Sequence, residues 1–490
     1  MGIEAKGKTT MKERAIKPPQ RAGDPIPALR VAESDGGPDG RRTIYDFGAT
    51  YPLGTLRFGA VRPDERVGRL RIGRSLDGRN WTPVETVPAD GAIRLDDAPA
   101  RYVRLEGEAG EDAFFEAGRG FAAEPADDWT ALFHRREGWT GADGIYSVPL
   151  NGLEAPGRAA ANRTLLLFGD TFIGTVDPVS NARVSMAMIN NSMALLHGDR
   201  PDPQRIAFRW NRSGPEPASS IVPSTPRALA HKDAYYWLQD GTSVGGKFHC
   251  FPLIVSPDPE GPEGFEFAVH GIVRVTAPIG EDGPMLELQE QADTPLYCRT
   301  AEGHTVYFGA AILPLTEEAG APNPDGYVYV YGLRNDGATR LVAARVAAEE
   351  LERIERWTFW NGSDWTDRIE DCAPIAPETS TELSVTPMVG GFLDGKFVVV
   401  YQQGGISGSR VAVRVGDSPV GPFGPGIPLH YCAEPEAGNG IYSYNAKAHP
   451  HLSAPGELLA SYNVNTTSMD VHRADGGIYR PRFIRIRQIV

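Results

Sequence analysis

Apolar residues recur along most of this chain with a period of two, in short runs broken by glycine and proline. That is the pattern of half-buried strands joined by tight turns. Three runs stand close together: Gly141-Ala-Asp-Gly-Ile-Tyr-Ser-Val-Pro-Leu150, Arg163-Thr-Leu-Leu-Leu-Phe-Gly-Asp-Thr-Phe-Ile-Gly174 and Asn190-Asn-Ser-Met-Ala-Leu195. They predict an antiparallel meander. Asp143 then falls at the start of the first strand, Asp170 at the end of the second, and Asn190 and Asn191 at the start of the third. Neighbouring strands lie about 4.8 Å apart, so these residues share one rim of the sheet.

A similar unit returns along the chain: a strand, a glycine-containing turn and a second apolar strand. Later copies begin near Tyr235, Leu296, Glu382 and Tyr444, roughly 60–90 residues apart. Five such units predict an all-β, five-bladed β-propeller over residues 125–490, with long loops building a pocket on one face. The alternating Phe483-Ile-Arg-Ile-Arg-Gln-Ile-Val490 is expected to close the ring beside a strand from its beginning. The run Val346–Glu355 is the one segment with helical spacing.

Residues 1–24 are rich in Lys, Arg and Pro and predict a loose tail. Residues 25–122 predict a separate small β-module. Its Ser75-Leu-Asp-Gly-Arg-Asn-Trp81 and Ala100-Arg-Tyr-Val-Arg-Leu-Glu106 resemble a discoidin-type β-sandwich. The 56 glycines and 41 prolines follow no simple period, which fits many turns rather than a fibrous or low-complexity chain.

A formal net charge of -14 with no long basic run argues against nucleic acid and anionic membranes as partners, and a neutral substrate fits better. The four cysteines, Cys250, Cys298, Cys372 and Cys432, form no CxxC pair. Residues 1–20 have no apolar segment of the signal-peptide kind. Together these predict buried thiols and a cytoplasmic protein, or a secreted one whose signal has been removed. No nucleophile elbow, Walker loop or dinucleotide fingerprint appears, so no organic cofactor is expected.

Candidate chemistry therefore rests on carboxylates. Asp143 and Asp170 at one rim form a pair in which one activates water and the other donates a proton or tunes the site. Each alone also suits a tight turn, since Asp-Gly and Gly-Asp-Thr both favour one. Glu382 holds in the fourth unit the place of Asp143 in the first, which makes it a candidate general acid. His449, with Lys447 and Asn445, holds the same place in the fifth unit. It is either a ligand for a structural metal ion or a hydrogen-bonded structural residue. Asp240 and Asp293 are weaker candidates. Trp139, Trp237 and Tyr444 offer aromatic faces for a sugar, with Asn190, Asn191 and Asn445 as polar partners.

The motifs GWTGADGIYSVPL, LLLFGDTFIG and NNSMAL, with the later TELSVTP and YNAKAHPHL, resemble a five-bladed propeller family long catalogued as a domain of unknown function. Its characterised relatives are endo-D-arabinanases. More distantly the pattern resembles the arabinanase and β-xylosidase propeller clan. The resemblance covers about residues 125–490. It implies hydrolysis of arabinofuranosyl linkages by Asp143 and Asp170, on an oligo- or polysaccharide. The more distant clan often holds a metal through an axial histidine, for which His449 is the match. A glycoside phosphorylase and a non-catalytic carbohydrate-binding protein are the alternatives.

Overall fold

The computed structural model describes residues 25–488, apart from 27–29, 36–40, 59–69, 76–77, 85–86, 90–91, 96–98, 108–112, 118–120, 262–264, 392 and 425. The expected tail at 1–24 lies outside the described residues. Within them the chain is almost wholly β, and its α-helices are the short Asp127–Leu132, Pro226–Leu229 and Met469–Ala474.

The N-terminal region is organised by one long strand, Arg41–Phe58. Its first part pairs with Arg30–Asp35 and Pro99–Glu106. Its second part pairs with Ala92–Arg94 and Ala113–Ala117. A register shift between Asp46 and Tyr51 lets the strand pass from one set of partners to the other. In Pro99–Glu106 the alternation sends Val103 and Leu105 inward to join Phe47, Tyr51, Leu53 and Phe115. This core continues into the apolar sides of the fourth and fifth propeller sheets. At the surface Arg101 bridges Asp46 at 3.3 Å and Asp417 of the propeller at 2.6 Å.

The remainder is a β-propeller. Five sheets follow one another along the chain, with inner strands Tyr146–Pro149, Gly241–Val244, Thr305–Leu315, Leu383–Pro387 and Ile441–Ala448. These strands lie side by side around an axis. They enclose a narrow cavity of about 50 Å³ bordered by Tyr146, Asp240, Ile312, Leu383 and Lys447. The fifth sheet is completed by Arg480–Gln488 against Phe121–Pro125, with Phe121 opposite Gln488 and Pro125 opposite Ile484. Pairing the two ends of the ring in one sheet ties closure to the whole length of the propeller segment.

The helical run expected at 346–355 does not form. Val346 and Ala347 are the last residues of the strand Thr339–Ala347, and two 3₁₀ turns follow, Ala348–Glu350 and Ile354–Arg356. Buried Leu351 and Trp357 fix this course, with Trp357 Nε1 donating to the Leu351 carbonyl at 3.2 Å. Apolar spacing that suits one helical face also suits two tight turns packed on a sheet.

Candidate active site

The first sheet carries a second, three-stranded sheet on its rim, made of Glu137–Ala142, Thr171–Val176 and Arg183–Ile189. Three short junctions join the two sheets: residues 143–145, 169–170 and 190–191. The first two of these junctions carry Asp143 and Asp170, and the third Asn190 and Asn191. The junctions run side by side. The Asp143 amide donates to the Asp170 carbonyl at 3.3 Å, and the Gly169 amide to the Asp143 carbonyl at 3.0 Å. The turn at Asp143 is tight, with φ of 81° at Gly144 and 44° at Ile145. A left-handed isoleucine is costly, and residues held this way cluster where surrounding structure overrides local preference.

Asp170 accepts from Asn190 Nδ2 at 3.2 Å and Trp237 Nε1 at 3.1 Å, both through Oδ1. Burial, reinforced by the charge of Asp143, raises its pKa to about 7. Asp143 accepts from the Tyr444 hydroxyl at 2.8 Å through Oδ2, and the Tyr479 hydroxyl faces it. Burial pushes its carboxyl upward, while the two phenols and the Lys447 charge oppose that rise.

Glu382 stands just before the fourth inner strand. Its Oε1 accepts from Asn445 Nδ2 at 2.9 Å, and its Oε2 is bound by Lys447 Nζ. Lys447 is almost fully buried, donates to the Gly144 carbonyl at 2.9 Å and lies 4.2 Å from the centre of the Tyr146 ring. Burial raises Glu382 to about 7 despite the ammonium. Asp240, just before the second inner strand, accepts from the amides of Gly241 at 2.9 Å and Ile312 at 2.7 Å. Burial sets it at about 7 as well, against those two amides and the Lys447 charge. Lys447 thus acts on three half-buried carboxyl groups, Asp143, Asp240 and Glu382, with Asp170 beside Asp143, and burial raises all four.

Sequence reasoning placed Asp143, Asp170, Glu382, Asn190, Trp237, Tyr444 and Asn445, and the structure brings all seven together. It moves three others elsewhere. Trp139 is in the core, packed on Phe133, Phe168 and Phe208, and offers no face to a sugar. The register of its strand shifts between Trp139 and Gly141, so local alternation does not carry through this stretch. Asn191 is fully buried. Its Nδ2 donates to the carbonyls of Ile221 and Tyr236, and its Oδ1 accepts from the Ile221 amide. Successive strand residues face opposite ways, so Asn190 and Asn191 cannot both reach the site.

His449 lies apart from the carboxyl pair, with both ring nitrogens engaged by serine hydroxyls. Nδ1 lies 2.9 Å from Ser147 Oγ and Nε2 2.9 Å from Ser461 Oγ, pinning the fifth sheet to the first. Burial and nearby Lys447 hold it neutral. Among the described residues no group of three or more His, Cys, Asp and Glu side chains is placed to hold a metal ion. Asp293 accepts from the Arg227 amide at 3.0 Å, outside the carboxyl cluster. Sequence reasoning underrated Asp240, Lys447 and Tyr146 and missed Tyr479. For Tyr479 no local signal existed, because it reaches Asp143 from the far end of the chain.

Comparison with known proteins matches residues 126–489 to the model of a family described as a domain of unknown function, DUF5005. The chain belongs to the DUF5005 family. Its DUF5005 region is the propeller with all the carboxyl groups above. No curated protein matches the chain. Among solved structures, one from Bacteroides ovatus ATCC 8483 titled a "putative hydrolase" is 19% identical, with a TM-score of 0.55 over 75% of this chain and 90% of that one. That likeness is one of fold. A GH43_1 enzyme from Xanthomonas citri is 11% identical, with a TM-score of 0.32 over 74% of this chain and 94% of that one. CoXyl43, a β-xylosidase/α-arabinofuranosidase from a compost microbial metagenome, is 12% identical, with a TM-score of 0.36 over 76% and 95%.

Proposed function

We propose that this DUF5005 protein is a glycoside hydrolase, with Asp143 as base and Asp170 as proton donor. The observation that carries the reading is the asymmetry of the pair. Asp143 faces two phenol hydroxyls, which favour its ionised form. Asp170 has Oδ1 occupied by two N–H donors, leaving Oδ2 open for a proton that burial keeps in place to about pH 7. Two carboxyl groups of unequal proton affinity are what hydrolysis through an oxocarbenium-like state requires. The proton donor is thereby Asp170 rather than Glu382, both of whose oxygens are bound. Glu382 instead holds Lys447 and Asn445 in place beside the pair.

The sugar is proposed from the resemblance of the opening motif: an arabinofuranosyl linkage, as in D-arabinan. Trp237, held at its indole N–H by Asp170, is proposed as an aromatic surface for the sugar. The N-terminal module is proposed as discoidin-like, an accessory beside the catalytic ring. Phosphorolysis is disfavoured because Lys447, the ammonium among the carboxyl groups, is committed to Glu382, Gly144 and the Tyr146 ring. A phosphate would also meet four acidic groups. A purely binding role leaves the buried carboxyl cluster without a use.

A panel of D-arabinan, arabinogalactan and small furanosides, followed by chromatography of products with and without phosphate, tests the proposal. Phosphate-independent release of arabinose or arabino-oligosaccharides is expected. Tight glycan binding with no cleavage would overturn it.

A further inference from the structure

Asp143 is approached from several elements. Asp170 lies beside it on the neighbouring junction. Tyr442, Tyr444 and Lys447 come from the strand Ile441–Ala448, Glu382 from the segment before the fourth inner strand, and Tyr479 from the segment before Arg480–Gln488. Tyr444 donates a hydrogen bond to its carboxylate, and the Tyr479 hydroxyl faces the same carboxylate. Neither is a neighbour of Asp143 in sequence.

Both are placed by unusual backbone. Tyr479 has φ of 66°. Its carbonyl lies where a side chain on Gly141 would come within 2.5 Å, so a bare glycine is needed for Tyr479 to sit here. Its amide donates to the Val464 carbonyl at 2.9 Å, and its ring packs on Phe172 and His472. Beside Tyr444, Asn445 has φ of 61°, and the register of the strand shifts between Tyr444 and Lys447. That break lets Tyr444, Asn445 and Lys447 all serve the same site, which regular alternation forbids. Behind Tyr444, Asn465 Nδ2 donates to the phenol oxygen at 3.1 Å. With that lone pair taken, the Tyr444 hydrogen is directed to Asp143.

We propose that Tyr444 and Tyr479 are a two-phenol clamp that orients Asp143 and holds it as a carboxylate, with Asn465 as the residue that aims one phenol. This rests on the assignment of Asp143 as the base. All three are positioning residues, acting through Asp143. Phenols suit the task because they stabilise the anion by hydrogen bonding without adding positive charge. A second ammonium would stabilise it further and weaken it as a base. Both hydroxyls stay protonated because burial and the charge of Asp143 raise them well above the ordinary range.

The test is the titration of Asp143 in the full chain carrying ¹³C-labelled aspartate, its signal assigned by loss in Asp143→Asn, compared with Tyr479→Phe and Tyr444→Phe. Phenylalanine keeps the ring packing and removes only the donor. Each variant should raise the Asp143 midpoint by about one to two pH units, as expected for the loss of one hydrogen bond to a charged group. The acid limb of kcat/KM should move with it. An unmoved midpoint in Tyr479→Phe overturns the clamp. Should that variant fail to fold, Asn465→Ala decides, with a smaller upward shift expected and an unchanged midpoint contradicting the proposal. A shifted midpoint in a protein that cleaves no glycan would sustain the clamp and remove the hydrolase reading instead.

Discussion

The backbone of Asp143 is hydrogen-bonded to that of Asp170, amide to carbonyl at 3.3 Å, at the junction where two strands leave the propeller for the rim sheet. The two carboxyl groups are therefore fixed by the same backbone contact. Substituting either by asparagine should lower kcat by about 10²–10⁴-fold with the fold intact. Combining the two should cost much less than the product of the single losses, because they act as a unit. Steady-state kinetics on the best substrate checks this.

The glycine at the turn is as constrained as the acids. A Cβ on Gly169 would lie 2.5 Å from Asp143 Oδ1, so Gly169→Ala must displace the carboxylate. Displacement by a fraction of an ångström to one ångström should reduce kcat by up to about a hundredfold. KM should change less, which a kcat and KM comparison reads.

Burial of Asp170 has a pH signature in stability. Its carboxyl is raised to about 7 in the folded chain, above its value in the unfolded one. The stabilising contribution is thus fully present below the unfolded value, near 4, and is lost as pH rises through 7. Asp170→Asn keeps an oxygen to accept from Asn190 and Trp237 but removes the charge. It should be more stable than the wild type at pH 8, on the order of 2 kcal/mol, with the difference shrinking toward pH 4. Urea unfolding at the two pH values tests the sign.

The two tryptophans first considered for the cleft should separate cleanly. Trp139→Ala should cost about 3–5 kcal/mol of stability and leave the kinetics of the folded enzyme nearly unchanged. Trp237→Phe removes the donor to Asp170 and should alter kcat with little loss of stability. Denaturant midpoints set beside kinetic constants distinguish them.

The contrast shows what the sequence could and could not convey. The first sheet and the ring closure were legible because strand alternation and turn residues are local signals, and Asp143 and Asp170 lay beside those turns. Asn190 and Asn191 looked equivalent, yet the two-residue period sends one inward and the other to Ile221 and Tyr236. Tyr444 and Asn445, equally adjacent, both serve the site because a left-handed residue interrupts that period. Trp139 sits in the core because Phe133, Phe168 and Phe208 pack around it, contacts that its own strand does not announce. Breaks of this sort come from tertiary packing, as does the arrival of Tyr479, and adjacent residue types do not encode them.

The pH dependence of catalysis follows from the pair. Activity requires Asp143 ionised and Asp170 protonated, so kcat/KM should be bell-shaped, with its alkaline limb near pH 7 from the Asp170 proton and its acid limb below. A profile rising to a plateau above pH 8 would place the acid elsewhere.

The most direct measurement is product formation from D-arabinan and small arabinofuranosides by the wild type, Asp143→Asn and Asp170→Asn side by side. Cleavage by the wild type that both substitutions suppress about a hundredfold or more is the predicted result. Equal cleavage by all three proteins, or none by the wild type on any furanoside, would contradict it.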